Sequence, residues 1–329
     1  MAHELFLENG QAAMMYAGDV PWHGLGQKLN NPATSVEAIK AARLDWEVTK
    51  VPIYLKDGKK YREAKGTFAV ARSDQSHPTP LGIVGASYEP LQNRAAFVWF
   101  DDIVGQGAAI YHTAGVLGSG ERVWILAKLP GEIRVKGEDV SEKFLLLSNS
   151  HDGKSSVQVK FTPIRVVCQN TLTMAFSSGP TLKISHTSSL ERRLEVAKIN
   201  LGIITDRFQK IGNEFQQLAE IQVTKSRLTE YLSAVFPMPA DETDVRARKR
   251  VEAARQKSCE LSESGWGNGA EKVRGTLWAA YNGVTQFVDY RTTKQDPSQH
   301  LDSIWFGSGY LTKARAFNVA LSKVAGWKN

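Results

Sequence analysis

WEVTKVPIYLKDGKKYREAKGTFAVA, residues 46–71, decides how the first half of the chain is read. Val51, Ile53 and Leu55 fall on one side of an extended segment, and Lys50, Tyr54 and Lys56 on the other. That two-residue period is a strand's. Asp57-Gly58 is a tight-turn pair, so KKYREAKGTFAVA returns as a second, antiparallel strand. The hairpin also gathers Lys50, Lys56, Lys59, Lys60, Arg62 and Lys65 around Tyr54 and Tyr61. Cations that follow a phosphate backbone, with aromatic faces between them, are what single-strand binding uses; each stacked base contributes ~1–3 kcal/mol. Lysine on an edge strand also blocks edge-to-edge aggregation, and these residues fit that reading equally.

Upstream, Thr34 or Ser35 caps a helix, SVEAIKAARL, with Glu37 in its first turn where a carboxylate suits the helix dipole. Downstream, LGIVGASY supplies a third strand, and Asn93 fits the cap of RAAFVWFDDIVG, whose Phe97, Phe100 and Val104 stack on one face. More strand signal follows in AAIYHTAGVL, ERVWILAKL, KFLLLSNS and SSVQVKFTPIRVV, residues 108–167. In the last of these, Val157, Val159 and Phe161 oppose Gln158, Lys160 and Thr162. After Pro163 the apolar set moves to Ile164 and Val166. A proline at such a flip marks a bulge or an edge strand. Asn170 then fits the N-cap of a short helix, TLTMAF, whose free N–H groups suit an anion beside Arg165. From about Ser188 the period changes to 3.6, beginning with LERRLEVAKINLGIITDRFQKIGNEFQQLAEI. The expected fold is α+β: a mainly antiparallel sheet with flanking helices and an N-terminal arm (1–187), then a helical lobe (188–329).

With 329 residues, 42% hydrophobic and 23% charged, the chain has the composition of a globular protein able to bury a core. Forty-one basic against thirty-four acidic residues leave +7, a sign that suits a polyanionic partner. The two cysteines, Cys168 and Cys259, are too few for a disulfide framework and point to a reducing compartment. No apolar run approaches the ~20 residues of a membrane span, and MAHELFLENGQ is not built like a signal peptide. A cytoplasmic protein without a membrane partner is expected.

Enzyme signatures are weak. Cys168 follows an apolar run and reads as a small buried hydrophobe. The seven histidines are scattered without metal-ligand spacing, so no metal or cofactor is expected. Asp101 and Asp102 are neighbours on a helix and point about 100° apart. Gly265-Trp266-Gly267-Asn268-Gly269 follows no strand, and Gly307-Ser308-Gly309 lacks the Lys-Ser/Thr ending of a phosphate loop. A second basic stretch, VRARKRVEAARQK, is a solvated helix face or a phosphate-tracking one.

Four segments carry a family resemblance: PWHGLG (21–26), VGASYEPLQNRAAF (84–97), FTPIRVVCQNTLTMA (161–175) and GTLWAAYNGVTQFVDY (275–290). In these the chain resembles the phage/plasmid-like proteins grouped as domain of unknown function 932. The resemblance implies a mobile-element source and carries over no reaction and no catalytic residue. In element order, residues 34–105 are also similar to the β-β-β-α core of single-strand annealing recombinases of the Rad-fifty-two and Red-beta type. That second likeness implies an oligomeric ring or filament holding single-stranded DNA in a basic groove beside a hairpin. Lys50, Lys56, Lys59, Lys60, Arg62, Lys160 and Arg165 are then the expected phosphate contacts, and Tyr54 and Tyr61 the expected stacking residues. The expected function is non-enzymatic binding or annealing of single-stranded DNA. The alternatives are a protein-interaction module that inhibits a host defence system, and an enzyme using His23, Cys168 or Asp101.

Overall fold

The structure is a computed structural model that describes residues 7–8, 11–18, 26–30, 33–75, 79–104, 110–165, 170–171, 181–194, 204–290, 303–305 and 307–327. Strands β1 (Leu7–Glu8), β2 (Gln11–Ala12), β3 (Met14–Ala17) and β4 (Gln27–Leu29) precede helix α1 (Ser35–Ala41). Three strands follow, β5 (Val48–Asp57), β6 (Lys60–Arg72) and β7 (Gly82–Gly85), and then helix α2 (Asn93–Val104). Strands β8 (Ile110–Leu117), β9 (Arg122–Val135), β10 (Asp139–Ser150), β11 (Val157–Arg165), β12 (Asn170–Thr171) and β13 (Thr181–Ile184) come next. The remainder is helical: α3 (Ile204–Glu220), α4 (Lys225–Val235), α5 (Val245–Ser264), α6 (Leu277–Tyr290) and α7 (Ser308–Trp327).

The fold is α+β. The main sheet runs β12-β11-β10-β9-β8-β3-β4, with β13 also on β11, and is antiparallel except where β3 meets β4. A second sheet, β5-β6-β7, is antiparallel throughout. Strands form here because each alternates apolar and polar residues or is apolar on both sides. β9 and β10 are of the second kind, with Val123 to Ala127 and Phe144 to Leu147 all buried. The N-terminal stretch expected as an arm is partly built into the sheet: Met14 to Ala17 are buried, and Met14 to Tyr16 pair with β8. Helix α1 starts on a capping box, in which Thr34 Oγ1 accepts from Glu37 N and the Glu37 carboxylate accepts from Thr34 N. The bonds that the carboxylate accepts from Thr34 N and from the Thr34 hydroxyl hold it below its usual range.

β11 departs from its expected reading. Its register against β10 runs unbroken from Gln158 to Arg165, so Pro163 makes no bulge. Pro163 falls in the gap between the residues that pair with β13 (Val157–Lys160) and those that pair with β12 (Ile164 and Arg165). A missing N–H costs least there. In the main sheet the register shifts instead between β9 and β10, where Leu129, Pro130 and Gly131 oppose Lys143 alone, and between β8 and β9 at His112. Nor does β11 change its buried face at Pro163, because both faces are covered. Phe161 meets Phe208 of α3 at 5.4 Å on one side, and Lys160 meets Trp305 and Tyr310 on the other. Asn170 starts no helix: with Thr171 it forms a strand on Arg165 and Ile164. The rest of TLTMAF lies outside the described residues.

The change of period near residue 188 marks where strands give way to helices, and the buried residues of both parts form one continuous core. Trp278 of α6 ties them, packing on Phe215 at 4.6 Å and donating from Nε1 to Asp139 Oδ2 at 2.7 Å. α5 and α6 cross on small residues. A Cβ on Gly283 would stand 2.7 Å from the Ser258 carbonyl oxygen and 2.7 Å from Ser262 N, both α5 backbone. Neither can retreat as a side chain would, so Gly283→Ala is expected to destabilise the protein by about 1–3 kcal/mol in urea unfolding, the usual cost of overpacking.

Candidate nucleic-acid interface

The hairpin of β5 and β6 splits into a buried base and an exposed ribbon. Near the base, Val48 and the run Ala69 to Arg72 are buried. Past Pro52 the two strands pair only with each other: Tyr54 with Glu63, Leu55 with Arg62, Lys56 with Tyr61 and Asp57 with Lys60. Gly58 and Lys59 close the ribbon, with Gly58 at φ +60, the left-handed conformation a two-residue hairpin loop needs. Between base and ribbon, Ala64, Lys65, Gly66 and Thr67 oppose Ile53 alone, a bulge that adds twist where the core ends.

Residues directly opposite share a face, so the register sorts the ribbon's side chains. One face carries Tyr54, Lys56, Tyr61 and Glu63; the other carries Leu55, Asp57, Lys60 and Arg62. Tyr54 is 58% exposed and Tyr61 is 68% exposed. They are diagonal neighbours, with Lys56 opposite Tyr61 and Glu63 opposite Tyr54, a spacing within reach of large side chains. On the second face Leu55 is 61% exposed, and Arg62 pairs with Asp57 at 3.1 Å. Both partners of that pair are solvent-exposed, so it contributes ~0–1 kcal/mol. From Tyr54 to Lys65 the ribbon holds five basic side chains against Asp57 and Glu63.

The expected site residues therefore divide. Tyr54, Lys56, Lys59, Lys60, Tyr61 and Arg62 are brought together on the ribbon, though on two faces and a tip rather than one surface. Lys50 sits lower, half-buried, where its ammonium donates to the carbonyls of Ala86 and Tyr88 at 3.0 and 2.8 Å. It clamps the loop after β7. Lys160 is 6% exposed: its ammonium donates to the Trp305 carbonyl at 3.1 Å and lies 3.9 Å from the centre of the Tyr310 ring. The structure encloses it between β11 and the helical part, away from any surface on which a nucleic acid travels. Arg165 ends β11, its backbone opposite Ser141 and Asn170, and its side chain lies outside the described part.

Of the residues considered for catalysis, His23 and Cys168 lie outside the described residues. Asp101 accepts from the Tyr111 hydroxyl at 2.5 Å, and burial with that carboxylate pushes the phenol far above its usual range. On α5, Arg255 donates to the carbonyls of Phe236 and Ser233 and so fixes the end of α4, whereas Arg246, Lys249 and Arg250 are exposed. Among the described residues no three His, Cys, Asp or Glu are grouped to hold a metal ion, and no helix is long and apolar enough to cross a membrane.

Fold and surface together define an α+β protein that carries a basic, tyrosine-bearing ribbon on a small antiparallel sheet. The chain belongs to the family described as Domain of unknown function (DUF932), which it matches over residues 80–305. No curated protein and no solved structure matches it. The matched segment begins after the ribbon and takes in β7 to β13 and α2 to α6.

Proposed function

We propose that the ribbon binds single-stranded nucleic acid, with Tyr54 and Tyr61 stacking on bases and Lys56, Lys59, Lys60 and Arg62 following the backbone. The observation that carries this reading is a pair of exposed tyrosines on one face of a ribbon, beside Lys56 and Glu63, with Lys59 at the tip and Lys60 and Arg62 on the other face. Such residues add nothing to a core and leave large rings in water. Aromatic rings that accept any base, set beside cations that accept any phosphate, suit a strand of arbitrary sequence. In the fuller form of the proposal, copies of the chain assemble in the cytoplasm and anneal or coat the single-stranded DNA of a mobile element.

Fluorescence-anisotropy titration of a labelled oligonucleotide at two salt concentrations tests the reading. Micromolar or tighter binding that weakens steeply with salt supports it, and no binding at low salt overturns it. Replacing Lys56, Lys59, Lys60 and Arg62 with Glu is expected to abolish binding at moderate salt. Replacing them with Gln is expected to make the salt slope shallower by about 3, from roughly 0.7 for each of four contacts. The exposed Leu55, Val51 and Ile83 favour a second reading, a protein partner such as a host defence factor. Activity indifferent to the charge changes selects that reading. Mass measurement with and without the oligonucleotide decides whether a ring or filament forms.

A further inference from the structure

The sheet that bears the ribbon is held to the main sheet by a polar dock that scattered residues build. The start of β7 lies against the turn between β10 and β11, where a Cβ on Gly82 would stand 2.2 Å from the Asp152 carbonyl oxygen. Tyr88 donates from its hydroxyl to the Ser150 carbonyl at 3.0 Å. Asn93, at the start of α2, spends its amide nitrogen on the carbonyls of Leu44 and Trp46, at 3.2 and 3.3 Å. Arg72 of β6 covers the Trp46 ring at 4.4 Å, pairs with Asp74 at 2.5 Å and donates to the Ser119 carbonyl at 3.1 Å. Two histidines stand in the middle. His151 meets Trp46 edge-on at 5.4 Å, and His186 stacks on Tyr88 at 4.9 Å.

The hydrogen bonds fix the protons on both rings. The Asn93 amide nitrogen is committed to carbonyls, so its Oδ1 faces His151 Nε2 at 3.0 Å and accepts. The Asn149 amide nitrogen lies 3.5 Å from the same atom but donates to the nearer Leu91 carbonyl at 2.8 Å, so His151 carries its proton on Nε2 toward Asn93. His186 Nδ1 lies 3.1 Å from the Glu89 carbonyl, which only accepts, so His186 carries its proton on Nδ1. The opposite atoms, His151 Nδ1 and His186 Nε2, are buried with no hydrogen-bond partner, as is Asn149 Oδ1, whose amide nitrogen donates to the Leu91 carbonyl. A proton added to either of these atoms would meet no acceptor there, so both rings are neutral in the docked sheet.

We propose that His151 and His186 form a proton-sensitive latch that docks the three-stranded sheet, and with it the ribbon, against the turn between β10 and β11. The charged and titratable groups around it are Arg72 with Asp74 from β6, Lys50 from β5, Asp152 with Lys154 from the turn, and Tyr88 and Glu89 from the loop before α2. Burial, the other imidazole and Arg72 all oppose a charge on His151 and only Asp152 favours one, so its pKa is pushed down to about 3. Burial lowers His186 as well, against the Glu89 carbonyl and Asp152. Undocked, each imidazole has the ordinary value near 6.5. The undocked form therefore binds more protons below that pH, and docking is complete above about 6.5 and weakens as pH falls. At pH 5 the population of the undocked sheet rises about 30-fold through His151 alone, from a 1.5-unit distance to 6.5. The latch operates whatever the ribbon binds.

Hydrogen–deuterium exchange of the full chain at pH 7.5 and 5.0, corrected for intrinsic rates, tests the latch. Expected is about 30-fold or greater added opening across residues 46–72 and 82–92, with residues 122–129 and 144–150 unchanged. His151→Gln and His186→Gln should each flatten that pH dependence. Equal opening of both sheets, no opening, or an unaltered pH response in both variants overturns the proposal. Imidazole nitrogen spectra of the wild-type protein at pH 7 stand independently of either variant folding. They should show two neutral rings of opposite tautomer, and a charged ring or a shared tautomer overturns the latch.

Discussion

Lys313→Ala is expected to lower the unfolding free energy by about 3–5 kcal/mol, the largest loss for any single truncation considered. Lys313 of α7 is fully buried, and its ammonium lies 2.6 Å from Asp289 Oδ1 of α6, itself buried. Burial lowers the pKa of Lys313 against the pull of Asp289, so the carboxylate does not fully offset the lost hydration of the ammonium. Truncating Lys313 takes the ammonium away from a buried carboxylate. Replacing both partners, Lys313→Met with Asp289→Leu, removes both charges at once and is expected to leave stability near or above that of the wild type. Urea unfolding of Lys313→Met, Asp289→Leu and the double variant closes the cycle. A double variant as unstable as Lys313→Ala would show that the pair stabilises the helical packing outright.

What the sequence made legible was local. Two-residue alternation and Asp57-Gly58 gave the hairpin, and Thr34 with Glu37 three residues on gave the start of α1. Each depends on neighbours in the chain. Lys160 was misleading because alternation separates two faces of a strand without saying what covers them. Its covering groups, Trp305 and Tyr310, stand some 150 residues further on. Asn93 reads as a cap by position, yet its side chain is spent on Leu44, Trp46 and His151. His151 and His186 share no spacing that marks a pair, because the fold and not the chain sets them together. Pro163 pointed to a bulge or an edge strand; it has no bulge and sits at an edge position between β12 and β13, whereas Pro130 followed by Gly131 at φ +78 lies in a bulge. Two prolines in strands look alike until the partner strands are known.

The double variant Tyr54→Ala/Tyr61→Ala is expected to weaken binding of single-stranded nucleic acid by about 2–6 kcal/mol, from ~1–3 kcal/mol for each stacked base. That is roughly 30-fold to 10⁴-fold in Kd. Stability should change by no more than about 0.5 kcal/mol, because both rings stand in water and anchor nothing. Tyr54→Phe/Tyr61→Phe keeps the faces and drops the hydroxyls, so it should bind nearly as the wild type does. The salt dependence separates the two parts of the surface. Removing tyrosines takes away no charge, so the plot of log K against log salt should shift down without changing slope. Removing the lysines should change the slope as well. If the alanine variant instead binds like the wild type while the charge variants fail, the ribbon holds phosphate alone. A duplex would then compete as well as a single strand, and the assignment of Tyr54 and Tyr61 to base stacking would fall.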